Sequence, residues 1–167
     1  EHGKTIYENY DLEFSRTGNS YTLTNVIKTD GTTAHSGEGF WPLGHEKFYF
    51  GMRYDVTFTL GDYVGDLNYK FKGDDDLWVL LDGRVVIDVG GIHDALEGST
   101  DLWEDLGYEN GKRPTTEAEK NKEHRITVLY MERGAGKSNC EMDFTLPNAR
   151  VINIENTPVA QLSFLKM

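Results

Sequence analysis

Apolar and polar residues alternate with a period of two along most of the chain. The alternation is clearest in Met52–Leu60, Leu67–Phe71 and Cys140–Leu146. It predicts β-strands that turn one face to a core and the other to water. Because such half-buried strands are typical of antiparallel sheets, the chain is expected to be an all-β, antiparallel sandwich or barrel. Further strands are predicted at Thr5–Phe14, Tyr21–Lys28, Leu77–Leu81, Arg84–Val89, Arg125–Glu132 and Arg150–Ile154.

Two turns are predicted from short glycine-containing segments. Asp82-Gly83 separates two β-rich runs by two residues, which predicts a tight hairpin. A second reversal is expected at Gly134-Ala135-Gly136, between the strand that ends at Glu132 and the strand near Cys140.

Regular helix is sparse in this pattern. Only Thr115–Glu123 has a helix-forming composition, and a solvated loop explains it equally well. Turn residues are frequent in Gly90–Arg113, so we expect a long loop excursion there with a short helix around Leu102–Leu106. Long loops on a β scaffold often carry function.

Composition narrows the possible partners. The 167 residues include 28 acids and 17 bases, a formal net charge of −11, which argues against nucleic-acid binding. No apolar run approaches the roughly 20 residues of a membrane span, so we expect a soluble domain without membrane insertion. Cys140 is the one cysteine, which excludes an internal disulfide framework and favours a buried free thiol.

The segment with the strongest chemical signal is an aspartate triplet, Asp74-Asp75-Asp76, at the start of an apolar strand. Neighbouring carboxylates repel one another, and a bound divalent cation relieves that repulsion. Calcium is the cation expected here, because it accepts six to eight oxygen ligands in flexible geometry. The alternative is a solvated acidic turn, since short acidic runs are common on protein surfaces.

The surrounding sequence resembles a known family. Gly73–His93 contains GDDD, an apolar strand, DG, a second apolar strand and D-x-GG-x-H, which together resemble the signature of fibro-slime domains, relatives of the PA14 family. The resemblance extends to Tyr49–Met52, Tyr130–Asn139 and Phe144–Pro147, and so spans about residues 48–147.

This resemblance implies a PA14-like β-sandwich or barrel on a bacterial cell-surface adhesin. It implies calcium ligands from the side chains of Asp74 and Asp75, joined by a cis peptide bond. The loop Glu132–Gly136 would add the Glu132 side chain and the carbonyls of Gly134 and Gly136. The bound calcium would then coordinate sugar hydroxyls.

Other residues near this segment are candidates for ligand contacts, each with a structural alternative. Asp76 would touch ligand or cap its strand, and His93 with Asp94 would flank the metal or only bond loop carbonyls. Trp103 is the candidate for stacking on a sugar face. Arg133 would reach a ligand hydroxyl or remain in solvent.

These observations lead to one functional hypothesis and one alternative. We expect residues 1–155 to form a calcium-dependent, carbohydrate-binding (lectin-like) domain of a bacterial adhesin, outside the cell at the cell wall, and monomeric within a larger surface protein. Residues 156–167 are expected to be a linker and the first strand of a following stalk domain. The alternative is a non-lectin structural or protein-binding adhesin module in which calcium only joins loops. No hydrolase, metalloprotease or phosphate-loop motif is found in the sequence, so we do not expect an enzyme.

Overall fold

A computed structural model describes residues 6–8, 12, 14–23, 28–29, 32–33, 39–43, 49–91, 93–134, 138–151 and 163–165. Fourteen strands and two short helices lie within this part of the chain. The strands are β1 (Ile6–Glu8), β2 (Ser15–Thr17), β3 (Ser20–Leu23), β4 (Lys28–Thr29), β5 (Thr32–Thr33), β6 (Phe50–Phe58), β7 (Asn68–Gly73), β8 (Asp76–Leu81), β9 (Arg84–Val89), β10 (Leu96–Asp101), β11 (His124–Glu132), β12 (Cys140–Thr145), β13 (Arg150–Val151) and β14 (Ser163–Leu165). The helices are α1 (Leu102–Asp105) and α2 (Glu117–Lys120).

The strands form two main antiparallel sheets that face each other. A seven-stranded sheet has the order β1-β14-β6-β11-β8-β9, with β13 also paired to β6, and a five-stranded sheet has the order β10-β7-β12-β3-β2. β4 and β5 pair separately as a two-stranded antiparallel sheet. The predicted all-β class is therefore confirmed, and of its two forms the sandwich is the one observed, because the sheets do not close into a barrel.

The core lies between the two sheets and follows the alternation seen in the sequence. On β11 every second residue is buried, from His124 at its start to Glu132 at its end. Within the five-stranded sheet, Tyr69 stacks on its pairing partner Phe144 with ring centroids 5.0 Å apart. Across the sandwich, the Tyr69 hydroxyl contacts that of Tyr54 on β6. The inward face of β11 is thus apolar in the middle and polar at both ends.

The predicted hairpin at Asp82-Gly83 is confirmed, since β8 and β9 pair directly across it. A chain reversal is expected at residues 134–136, between β11 and β12. These two strands lie in different sheets, so their connection crosses the sandwich and does not form a hairpin. Residues 135–137 themselves lie outside the described part.

The long excursion was predicted as loop, but it contains a strand. β10 pairs along its whole length with β7 at the edge of the five-stranded sheet. Its residues are mostly exposed, so it lacks the apolar alternation that identifies the other strands. The short helix expected around Leu102–Leu106 is confirmed by α1, and of the two interpretations left open for Thr115–Glu123 the helix is observed in α2. In the part of the chain that the structure describes, no helix is long and apolar enough to span a membrane.

The two ends of β8 and β11 define the two ends of the sandwich used below. The strands are antiparallel, with Asp76 opposite Met131 and Leu81 opposite Ile126. The aspartate triplet therefore lies beside the end of β11, and the Asp82-Gly83 hairpin lies beside its start. We call these the acidic end and the hairpin end.

β14 comes from the segment expected to begin a following domain. In the structure it pairs with β6 and β1 within the seven-stranded sheet. The division at residue 155 stays a prediction, but β14 is placed in the sandwich rather than outside it.

Candidate functional site

The acidic end is built by the turn between β7 and β8 and by the segments that flank the β11–β12 connection. Gly73 ends β7, and a Cβ atom there would lie 2.3 Å from the Asn139 carbonyl oxygen. Only glycine allows this close approach, which brings the aspartate triplet against Asn139.

Asp74 is fixed by Asn139 through its backbone and its side chain. The Asp74 amide donates to the Asn139 carbonyl at 3.2 Å. In return, the Asp74 carboxylate accepts from the Asn139 backbone N–H at 2.5 Å and from its side-chain Nδ2 at 2.7 Å. The carboxylate thus joins the β7–β8 turn to the start of β12.

Asp75 is buried and has an unusual backbone conformation. Its exposed fraction is 3%, and its φ of 105° lies in the left-handed region that side chains other than glycine rarely adopt. Its Oδ2 accepts from the backbone N–H of Arg133 at 2.5 Å. The cis peptide bond implied for this pair is not found, since the described residues contain no cis peptide. The turn obtains its shape from the positive φ of Asp75.

Asp76 is also buried, and Arg133 supplies a positive charge beside it. Asp76 Oδ1 accepts from the Gly91 backbone N–H at 2.5 Å, and Oδ2 forms an ion pair with Arg133 Nε, whose N–H is not aligned for a hydrogen bond. Arg133 thus contacts two aspartates: its main-chain N–H donates to Asp75, and its guanidinium group pairs with Asp76.

Glu132, at the end of β11, is fully buried. Its Oε1 accepts from the Gly134 N–H at 2.8 Å, and its Oε2 accepts from the Tyr130 hydroxyl at 3.1 Å. Burial raises the pKa of Glu132 to about 7, and the negative charge of Asp75 contributes to this increase, although hydrogen bonds from Ser138 and Gly134 oppose it. The negative charge of Asp75 therefore adds to the effect of burial in disfavouring ionisation of Glu132.

The acidic end therefore collects the side chains of Asp74, Asp75, Asp76 and Glu132, with Arg133 as the cation in ion-pair contact with one of them. Ionised carboxylates in such a buried position repel each other and lose hydration, so a further positive charge would stabilise them. Within the described ranges, however, no three His, Cys, Asp or Glu side chains are already arranged as a metal site. Most of the carboxylate oxygens instead accept N–H or O–H groups of the loops.

The other residues proposed from the sequence are placed as follows. Gly134 is described and contributes its N–H to Glu132, whereas Gly136 lies outside the described residues. His93 contacts the carbonyl oxygen of exposed Asp94, with 2.9 Å between Nδ1 and that oxygen. It is the neighbouring Gly91, through its N–H, that contacts the acidic end.

Trp103 lies apart from this cluster, in α1, and is only 3% exposed. Its Nε1 donates to the Gly65 carbonyl at 2.9 Å, and the Arg113 guanidinium lies 4.1 Å from its ring centroid. The ring is therefore covered within the structure and offers no free face for stacking on a ligand.

Sequence reasoning missed Asn139 and Tyr130 as parts of this site. Tyr130 lies two residues before Glu132 on the same buried face of β11, and its hydroxyl also contacts the Asp74 carbonyl at 3.2 Å. The period-two pattern of β11 contains a signal for this arrangement, because it places Glu132 in phase with the core residues.

Comparison with known proteins identifies relatives in Dictyostelium discoideum. The chain is 30% identical to protein psiI over 118 residues, which cover 71% of the chain and 13% of psiI. It is 36% identical to psiD over 111 residues, 62% of the chain and 21% of psiD, and 29% identical to psiP over 162 residues, 86% of the chain and 20% of psiP. The chain thus spans about a fifth or less of the length of these curated relatives. No family model matches the chain. No solved structure matches it significantly.

These relatives correct the functional hypothesis drawn from the sequence. The assignment to a bacterial adhesin that binds carbohydrate through calcium was wrong, because the similar proteins are Dictyostelium psi proteins and nothing in the comparisons points to sugar binding. The alternative hypothesis also assigned the chain to an adhesin, and that assignment is wrong for the same reason. The motifs quoted for the resemblance describe loop and strand geometry, which does not specify an organism or a ligand.

Proposed function

We propose that the chain is a β-sandwich module of a longer protein, in which a calcium ion bound at the acidic end stabilises the loops. The burial of Asp75 and Glu132 together carries this proposal. Their exposed fractions are 3% and 0%, and burial together with the negative charge of Asp75 raises the pKa of Glu132. The cation would join the β7–β8 turn to the end of β11.

The charge distribution supports a cation rather than an anion at this end. Four carboxyl groups meet here, whereas one guanidinium group, from Arg133, pairs with Asp76. The whole chain carries a formal net charge of −11, which favours binding of small cations further.

The available donor atoms are the oxygens that calcium prefers. Asp75 Oδ1 accepts no hydrogen bond among the described residues, and Oδ2 bonds only the Arg133 N–H. Carboxylate oxygens of Asp75 and Glu132, loop carbonyls and water form a ligand set typical of calcium. Magnesium requires a stricter octahedron and retains more water, so we expect it to bind more weakly. Chemically, the ion would supply the positive charge that these buried carboxylates lack.

Binding has to compete with existing contacts, which limits the expected affinity. The Asp74 carboxylate already accepts two hydrogen bonds from Asn139, and Asp76 is held by Gly91 and Arg133. We therefore assign the principal role to Asp75, whose Oδ1 accepts no hydrogen bond among the described residues. Glu132, both of whose oxygens accept hydrogen bonds from Gly134 and Tyr130, has a supporting role together with Asp74. The extracellular location and the absence of enzymatic activity expected from the sequence stay predictions.

The experiment is a thermal melt of chelator-treated protein with increasing calcium. A ligand that binds only the native state at about 100 times its Kd adds about 2.7 kcal/mol of stability. For a domain of this size, that increase corresponds to a rise in Tm of roughly 5–10 °C. Magnesium at equal concentration should give a smaller rise.

Two matched variants locate the site. Asp75→Asn should abolish the calcium-dependent rise in Tm, whereas Asp88→Asn should retain it, because Asp88 is exposed on β9. If both variants respond as the original chain does, or if calcium has no effect at millimolar concentration, the proposal is wrong.

A further inference from the structure

The hairpin end of the sandwich contains a cavity that is separate from the acidic end. Its volume is about 390 Å³, within the range of small-molecule sites. It lies between the β8–β9 hairpin, the loop after α1 and the start of β11. Leu81, Leu106 and Tyr108 contribute apolar surface, which suits an organic molecule better than an inorganic ion.

His124 is the most constrained polar group that lines the cavity. It is 3% exposed, and its Nδ1 lies 2.7 Å from Asp82 Oδ2. Asp82 is itself fixed, because its Oδ1 accepts from the Arg125 N–H at 2.8 Å. A carboxylate partner on Nδ1 fixes the orientation of the ring and leaves Nε2 for another group. No hydrogen bond to Nε2 is found among the described residues.

The acidic groups around the cavity are already satisfied within the protein. Asp82 accepts from Arg125 and pairs with His124, and Asp105 accepts from Thr100 and contacts Arg84. Glu119 accepts hydrogen bonds from the backbone N–H groups of Thr115 and Thr116 in the capping box of α2. Each of these carboxylates therefore has partners in local structure, although Glu119 uses only its Oε2.

The donor groups around the same cavity remain available. Within the described part of the chain, no ion pair reaches the exposed ammonium group of Lys122, and no hydrogen bond reaches the Tyr108 hydroxyl. Arg84 uses Nη2 for Asp105, which leaves Nε and Nη1. The unused polar capacity of the cavity thus consists mainly of donors and positive charge.

We propose that this cavity binds a small organic carboxylate. In the proposed complex, the ligand carboxylate accepts hydrogen bonds from Lys122 and from an N–H at His124 Nε2, on the opposite side of the ring from the Nδ1 that contacts Asp82. The apolar part of the ligand packs against Leu106 and Tyr108. This site is independent of the proposed calcium site, because β8 and β11 separate the two ends.

The test is a two-dimensional NMR titration of the isotope-labelled chain with benzoate as the probe. We expect chemical-shift changes at the amides of Arg84, Tyr108 and Lys122 that saturate with a Kd of about 1–10 mM or lower. Benzamide has nearly the same shape without the charge, and we expect it to bind at least about fivefold more weakly.

Three variants connect binding to the named groups. Lys122→Gln and His124→Asn should each weaken benzoate binding about fivefold to tenfold. His124→Asn retains a donor for Asp82 and Lys122 is exposed, so we expect both variants to fold. Lys70→Gln, on the outer face of the five-stranded sheet, should leave binding unchanged. Equal binding of benzoate and benzamide, unchanged affinity in both Lys122→Gln and His124→Asn, or no shifts at about 20 mM benzoate would each overturn the proposal.

Discussion

Substitution of Glu132 by glutamine tests the electrostatics of the acidic end in the absence of metal. Burial and the charge of Asp75 raise the pKa of Glu132 to about 7 in the folded protein. Its ordinary value is 4.5. A folded-state pKa above the unfolded value means that the neutral form favours folding. The stabilising contribution is complete below about pH 4.5 and is lost as the pH rises through about 7.

The size of this effect follows from the same values. The difference between 4.5 and about 7 corresponds to at most about 3 kcal/mol between the two protonation states. Solvent near the loops screens part of this cost, so we expect the chelator-treated protein to lose roughly 1–2 kcal/mol between pH 5 and pH 8 through this group. Glu132→Gln removes the titration and should be correspondingly more stable at pH 8 than the original chain.

Urea unfolding at pH 5 and pH 8, with chelator present, measures this difference. Glu141→Gln is the matched control, because Glu141 is exposed on β12 and its charge change affects only the net charge. The reasoning is refuted if Glu132→Gln and the original chain lose the same free energy of unfolding between the two pH values.

Three further predictions concern packing and local structure. Arg133→Met should lower the free energy of unfolding by about 1–3 kcal/mol in a urea titration, because it leaves the buried Asp76 carboxylate without its ion-pair partner. An unchanged free energy of unfolding would show that solvent already compensates the Asp76 charge. Gly73→Ala should lower the free energy of unfolding by about 1–3 kcal/mol, measured by thermal melting, since the added methyl group would lie 2.3 Å from the Asn139 carbonyl oxygen. An unchanged Tm would contradict the close approach of Gly73 to this carbonyl. Thr116→Ala should cost about 1 kcal/mol by removing the N-cap of α2, and Thr115→Ala, which leaves the cap in place, should cost less.

The strands that have a buried face were predicted from the sequence, because alternation directly reports such a face. β6, β7, β11 and β12 all have apolar residues in one phase and follow that rule. β10 does not, since it is an exposed edge strand whose stability comes from pairing with β7. Backbone pairing with a distant strand does not require alternating apolar residues, so the sequence of β10 contains no pattern that predicts it.

The carboxyl groups named from the sequence lie together at the acidic end, but neither the contacts there nor the roles of Asn139 and Tyr130 were predicted. Proximity of Asp74 and Asp75 to the end of β11 was expected from the resemblance, and Arg133 contacts Asp75 there. The role of Asn139 depends on the approach of Gly73, which no local pattern encodes. The ion pair between Asp76 and Arg133 likewise depends on strand register.

The cavity at the hairpin end shows a related limit. The sequence predicts Asp82 first as a turn residue of the hairpin, and this position is confirmed. Its carboxylate also bonds His124, which lies 42 positions away in sequence. A turn residue that also orients a buried histidine is visible only after β8 and β11 are paired.

Calorimetric titration of the chelator-treated chain with calcium tests the central claim most directly. The account predicts heat that fits one ion per chain, with no detectable binding in Asp75→Asn and unchanged binding in Asp88→Asn. Absence of binding heat in the original chain at millimolar calcium, together with an unchanged Tm, would contradict the account and leave the aspartate triplet as a turn held by its own hydrogen bonds.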